Sequence, residues 1–113
     1  RQQYVVEGMN LYQTNCANCH QVDGSGLKDL YPPLAKTDLW QRVKMSELAC
    51  IIKHGQKDSI RVNGKPYNAY MPANPKLQAL DIAELMTYMR EKWSPNKTIF
   101  SLDSARYALK NCP

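Results

Sequence analysis

The sequence has no apolar run near the ~20 residues a membrane-spanning helix needs, no internal repeat and no low-complexity segment. It opens at Arg1 with neither an initiator Met nor a signal-like apolar stretch. That reads as a mature or trimmed chain, from which any export signal or anchor would already have been removed. Basic residues are in excess, with a formal net charge of +5, yet they form no basic run; Lys28, Lys36, Lys44, Lys53, Lys57, Arg61, Lys65 and Lys76 are scattered. A nucleic-acid partner therefore gains little support; the excess suits an acidic protein patch or anionic lipid, or simply a solvated surface. The strand–helix–strand pattern of a thioredoxin-like domain is missing, as are a second C-x-x-C and any H-x-x-x-H. Those absences remove the usual settings of a redox dithiol and of a structural zinc site.

What is present suits one small domain. The 113 residues, 43% hydrophobic and 22% charged, suffice for a single core. Val5, Gly8, Met9, Leu11 and Tyr12 recur at helical spacing, predicting a first helix over about Gln3 to Ala17. Residues 21–37 lose all periodicity and are rich in Gly, Pro and Asp, so they read as loop. One helical turn is expected over Asp38 to Val43. A short helix follows in "MSELACIIKHG", capped by Ser46 and stopped by Gly55. Ile60 and Val62 alternate with polar residues ahead of Asn63-Gly64, the signature of a hairpin ending near Tyr67. Met71-Pro72 lies in an extended stretch beyond it. The strongest helix is "LDIAELMTYMREKW", with Asp81 and Glu84 as a capping box, Leu80 and Leu85 as a staple, and Ile82, Leu85, Met86 and Met89 as its apolar stripe. A linker then leads to a helical tail over about Leu102 to Lys110 that carries Cys112. A middle so poor in apolar residues cannot offset its own ordering entropy, so a large bound apolar group is expected to complete the core.

The chemistry is concentrated in Cys16-Ala17-Asn18-Cys19-His20. Cysteines three apart on a helical turn face one way. An immediately following His makes C-x-x-C-H a c-type haem attachment site, with two thioethers to one porphyrin edge and the imidazole aimed at iron. Met71 stands apart from the other methionines: Met9, Met86 and Met89 fit apolar helix faces and Met45 starts a short helix, whereas Met71 sits in a loop fixed by Pro72 and flanked by Tyr67 and Tyr70. A thioether there suits a second axial ligand, with His54 as the rival. Cys50 and Cys112 remain. An oxidising compartment would join them as a disulfide, and a reducing one would leave two buried thiols.

These pieces, "GMNLYQTNCANCH", "DGSGL", "YPPLA", "VNGKPYNAYMP" and "DIAELMTYMREKW", give a chain that resembles the class I c-type cytochromes from about Gly8 to Trp93. The resemblance implies an all-α, cytochrome c-like fold, with four or five helices wrapped around one covalent haem c and a small hairpin before the Met loop. It implies a haem-binding domain over residues 1–93, with residues 94–113 as a C-terminal extension on the same domain, tied down if Cys50 meets Cys112. It implies thioethers at Cys16 and Cys19, His20 and Met71 as axial ligands, and a carbonyl of the Pro32-Pro33 pair, Pro32 by the family pattern, accepting from His20 Nδ1. Gly8 and Tyr12 would meet the last family helix near Leu85 and Tyr88. Tyr67, Trp40 and Arg42 would line the haem or bond its propionates.

The activity implied is one-electron transfer between respiratory redox partners, by a carrier and not an enzyme. Its location would be periplasmic or otherwise extracytoplasmic, and its state a monomer or part of a complex. Lys28, Lys57, Arg61, Lys65 and Lys76 would steer acidic docking patches. The alternative is a haem c domain or subunit of a larger enzyme, an oxidase, nitrite reductase or dehydrogenase. A sensor or peroxidase would follow only if Met71 left the iron.

Overall fold

A computed structural model describes residues 2–113. In chain order, helix α1 spans Gln2–Asn15, the single turns α2 and α3 span Ala17–His20 and Leu39–Arg42, and helix α4 spans Met45–His54. Strands β1 (Ile60–Val62) and β2 (Lys65–Tyr67) follow, then helices α5 (Ala79–Trp93) and α6 (Leu102–Lys110). About half of the chain is helical and its sheet is one antiparallel hairpin, with Ile60 opposite Tyr67 and Val62 opposite Lys65. This is the all-α, cytochrome c-like architecture.

The core is built where α1 crosses α5. Ile82, Leu85, Met86 and Met89 repeat at i, i+3, i+4 and i+7, and all are buried, as is Tyr12 facing them. A close crossing needs a missing side chain. A β-carbon on Gly8 would stand 2.1 Å from Glu84 O and 2.6 Å from Tyr88 Cβ, so only glycine allows this approach. Of the expected Leu85 and Tyr88, Tyr88 makes this contact, and Glu84 takes the place next to Leu85. Tyr12, Tyr88 and Trp93 close the crossing as a ring cluster with centroids 5.3–6.0 Å apart.

Several helix ends differ from the sequence expectation, each for a local reason. α1 stops at Asn15 instead of continuing to Ala17. The Thr14 and Asn15 side chains bond back to the Asn10 and Leu11 carbonyls, competing with the helix's own ladder. Cys16 (φ −124°) then turns the chain into α2. Ser46 does not cap α4; the helix starts two residues earlier than that cap would place it, at Met45 behind an extended Lys44. The capping box of α5 is formed by Gln78 and Asp81, not Asp81 and Glu84, with Gln78 N–H donating to Asp81 Oδ2 at 2.7 Å. Leu80 is therefore inside the first turn and exposed, away from any staple. α5 ends at Ser94, which Pro95 forces out of the helical region.

The C-terminal tail packs on the same body. Phe100, Ala105 and Ala108 are buried, and Thr87 Oγ1 accepts from Phe100 N–H at 3.0 Å in the fully buried seam. Cys50 of α4 and Cys112 are joined by a disulfide spanning 62 residues. Among the described residues, no helix is long and apolar enough to cross a membrane.

Candidate haem site

The turn α2 presents three ligand-type side chains at once. Its frame is three backbone bonds: Cys16 N–H to Tyr12 O at 2.8 Å, Cys19 N–H to Cys16 O at 3.2 Å, and His20 N–H to Cys16 O at 3.0 Å. Cys16, Cys19 and His20 consequently line one solvent-connected cavity of about 940 Å³. Met71 lines the same cavity, brought there by the loop after β2. The walls come from every element around it: Leu39 and Trp40 from α3, Leu48, Ile51 and Ile52 from α4, Ile60, Val62 and Tyr67 from the hairpin, and Met89 from α5.

His20 is set by the loop that follows it. Its Nδ1 lies 2.9 Å from the Pro32 carbonyl oxygen, which can only accept, so Nδ1 carries the proton and Nε2 keeps its lone pair. Pro32, and not Pro33, holds this place. Burial pulls the His20 pKa below its ordinary value, opposed in part by the Pro32 bond, so the imidazole is neutral near pH 7. The loop itself is tied by Gly26 N–H to His20 O (2.9 Å) and by Leu34 and Ala35 N–H to Gly24 O (2.7 and 2.9 Å).

The donor set fits a covalent haem. The cavity opens to solvent on one side and its walls are almost wholly apolar, as a porphyrin face requires. Two thiols lie one helical turn apart, and a tautomer-fixed imidazole follows them. Other uses of the motif fit poorly. Burial pushes the Cys16 thiol up to about 12, the reverse of an activated redox dithiol. Among the described residues no three His, Cys, Asp or Glu side chains gather as a metal cage.

Of the remaining expected residues, Tyr67 and Trp40 line the cavity, but Arg42 does not. Arg42 Nε donates to Asp38 Oδ2 at 3.3 Å and its Nη2 donates to the Arg61 carbonyl, which turns it along the surface. Trp40 Nε1 donates to Leu34 O at 2.7 Å, so it contributes a wall instead of a propionate donor. His54 is exposed at the end of α4 and borders a separate hollow with Glu47, Cys50 and Cys112. Sequence reasoning missed Gln56, which lines the cavity and exchanges both backbone bonds with Met71 at 2.9 Å. No side-chain pattern announces a backbone pair between residues 15 apart.

With this geometry in place, the chain compares closely with known proteins. The family model for cytochrome c matches residues 5–93, which runs from α1 to the end of α5 and leaves out α6 and Cys112. The chain is similar to cytochrome c-552 of Thermus thermophilus, 28% identical over 97 residues, covering 83% of this chain and 73% of that protein. It is also similar to the cytochrome c subunit of quinone alcohol dehydrogenase from Gluconacetobacter polyoxogenes, 33% identical over 89 residues. That match covers 78% of this chain and 19% of the subunit, and the corresponding subunit of Gluconobacter oxydans, 30% identical over 90 residues, is likewise covered over only 19%.

Proposed function

This chain belongs to the cytochrome c family, whose members carry electrons on covalently bound haem c, and we propose that it is a one-electron carrier with His20 and Met71 as axial ligands. Bound haem supplies the ferric–ferrous couple. The chain's own residues do the rest. Cys16 and Cys19 anchor the group through thioethers, and Pro32 orients His20. A thioether at Met71 raises the potential, and the apolar walls keep water from the centre. One observation carries this reading: Cys16, Cys19, His20 and Met71, drawn from two distant parts of the sequence, line a single apolar cavity.

The test is the visible and near-infrared spectrum of the purified protein, oxidised and reduced, with and without carbon monoxide. His20/Met71 ligation predicts a low-spin ferrous spectrum indifferent to carbon monoxide and a ferric–thioether charge-transfer band. Prompt reaction with carbon monoxide would mean that Met71 is not the ligand.

The Cys50–Cys112 disulfide supports an extracytoplasmic location, where such bridges persist. Lys28, Lys57, Arg61 and Lys76 are exposed and suited to steering acidic redox partners, while Lys65 is partly neutralised by its ion pair with Asp29. Electron transfer to the partner should then slow as salt rises; a salt-independent rate would remove the steering. A second reading is a haem c unit within a larger assembly. It is favoured by the similarity to a dehydrogenase cytochrome subunit and tested by whether the native protein purifies with other subunits.

A further inference from the structure

The loop carrying Met71 is fastened to one small part of the protein, the last turn of α4. Gln56 and Met71 exchange backbone bonds at 2.9 Å each. Asn74 donates its backbone N–H to Lys53 O at 3.2 Å and its Nδ2 to Ile52 O at 2.9 Å. Lys53 Nζ returns two bonds, to Pro75 O at 2.8 Å and Leu77 O at 2.6 Å. At the helix end Gly55 adopts φ +84°, and a β-carbon there would stand 2.6 Å from Met71 O and 2.9 Å from Ala73 N. Helix end and ligand loop therefore meet backbone to backbone.

The same helix is held covalently from another side. Cys50, less than two turns before Gln56, is bonded to Cys112 just past α6. The two cysteines and Gln56 border the second hollow, of about 690 Å³ including its open side, so the bridge is reachable from solvent. Both α6 and Cys112 lie beyond the stretch that the family model matches, so this attachment is an addition to the haem-binding part.

We propose that the Cys50–Cys112 disulfide is a positioning device for Met71, acting through the last turn of α4, and that a dithiol reductant opening it loosens the Met71 loop. The inference rests on the reading of Met71 as the distal ligand. In the exchange the S–S bond breaks, two electrons and two protons pass to Cys50 and Cys112 as thiols, and the dithiol leaves as a disulfide. The thioethers at Cys16 and Cys19 and the His20–Pro32 bond take no part. With the bridge open, the tail keeps its apolar contacts at Phe100, Ala105 and Ala108 and its Thr87–Phe100 hydrogen bond but loses its covalent tie to α4, and the end of α4 gains freedom to open locally together with the loop bonded to it.

The experiment compares wild-type holoprotein, the double variant Cys50→Ala/Cys112→Ala and Phe100→Ala, which loosens the tail but keeps the bridge. The readouts are the ferric–thioether band and the rate at which added imidazole captures ferric iron, which requires Met71 to leave. The double variant is expected to capture imidazole about tenfold faster, with a weakened band. Phe100→Ala is expected to melt at lower temperature with capture unchanged. Wild-type capture in the double variant, or equal acceleration in Phe100→Ala, would overturn the proposal. If the double variant does not fold, carbon monoxide capture by ferrous wild-type protein, with and without a trialkylphosphine to open the bridge, gives the same decision. A wild type lacking the thioether band would sink the ligand reading instead. Hydrogen exchange at the Gln56 and Met71 amides, faster or unchanged on opening the bridge, would then decide the clamp alone.

Discussion

The two halves of this molecule are held together differently. Of the largest fully buried side chains, all but Val62 lie in α1 or α5: Tyr12 in the first, and Ile82, Leu85, Met86 and Thr87 in the second. In the loops and short elements of residues 21–77, the apolar residues are mostly half-buried. Leu34, Trp40, Ile60 and Met71 spend their exposed surface on the cavity wall. The helix pair buries its apolar surface against itself, whereas the loop half orders much of its backbone by hydrogen bonds and leaves part of its apolar surface for a bound group to cover.

Removing the haem anchor tests that difference with the largest effect. A Cys16→Ala/Cys19→Ala chain should carry no covalent haem by mass. Its amide protection should vanish through residues 21–77, with any residual protection confined to α1 and α5 in hydrogen-exchange mass spectrometry. Undiminished protection around Leu34 and Trp40 would show that the loops fold on their own packing and would erase the contrast.

Next comes the helix crossing itself. Gly8→Val drives a side chain into the Glu84 carbonyl, a backbone atom that cannot rotate away. The expected cost is about 3 kcal/mol, read from the urea midpoint of the holoprotein. A loss below about 1 kcal/mol would mean that α1 and α5 separate easily and that the haem, not their packing, holds them. Thr87→Val is smaller. It keeps the shape but leaves the buried Phe100 N–H without its acceptor, for a loss of about 1–3 kcal/mol. An unchanged midpoint would place the tail outside the cooperative unit.

The same division decides what the sequence made legible. α5, the hairpin and α6 were readable because periodicity and the Asn63-Gly64 dipeptide are local signals. Cys16, Cys19 and His20 stood out as a compact C-x-x-C-H spacing, and the structure brings all three to one cavity. Helix starts at Lys44 and Gln78 were not, because a cap depends on which nearby side chain reaches the free N–H groups first. That Arg42 bonds Asp38 and the Arg61 carbonyl was not legible, because a contest for its guanidinium is settled only in three dimensions. The attachment of the Met71 loop to α4 runs through backbone atoms and the Asn74 and Lys53 side chains, which carry no motif.

The finest test lies at an electrostatic cost in the helix half. Partial burial raises the Glu84 carboxyl pKa, and Glu7 and Asp81 add to it as like charges. A carboxylic acid with a raised folded pKa is proton-hungrier folded than unfolded. Its ionised form therefore opposes folding above the folded pKa, and that opposition fades as pH falls through the folded and then the unfolded value. Glu84→Gln should stabilise the holoprotein near pH 7 by less than about 0.5 kcal/mol, because the group remains largely in water. The gain should shrink to nothing in acid, where wild-type Glu84 is already neutral. Melting temperatures of the two proteins at neutral and acid pH check this. A gain that grew on acidification would mean that Glu84 is held as a favourable charge, and that the α1–α5 crossing draws on electrostatics as well as packing.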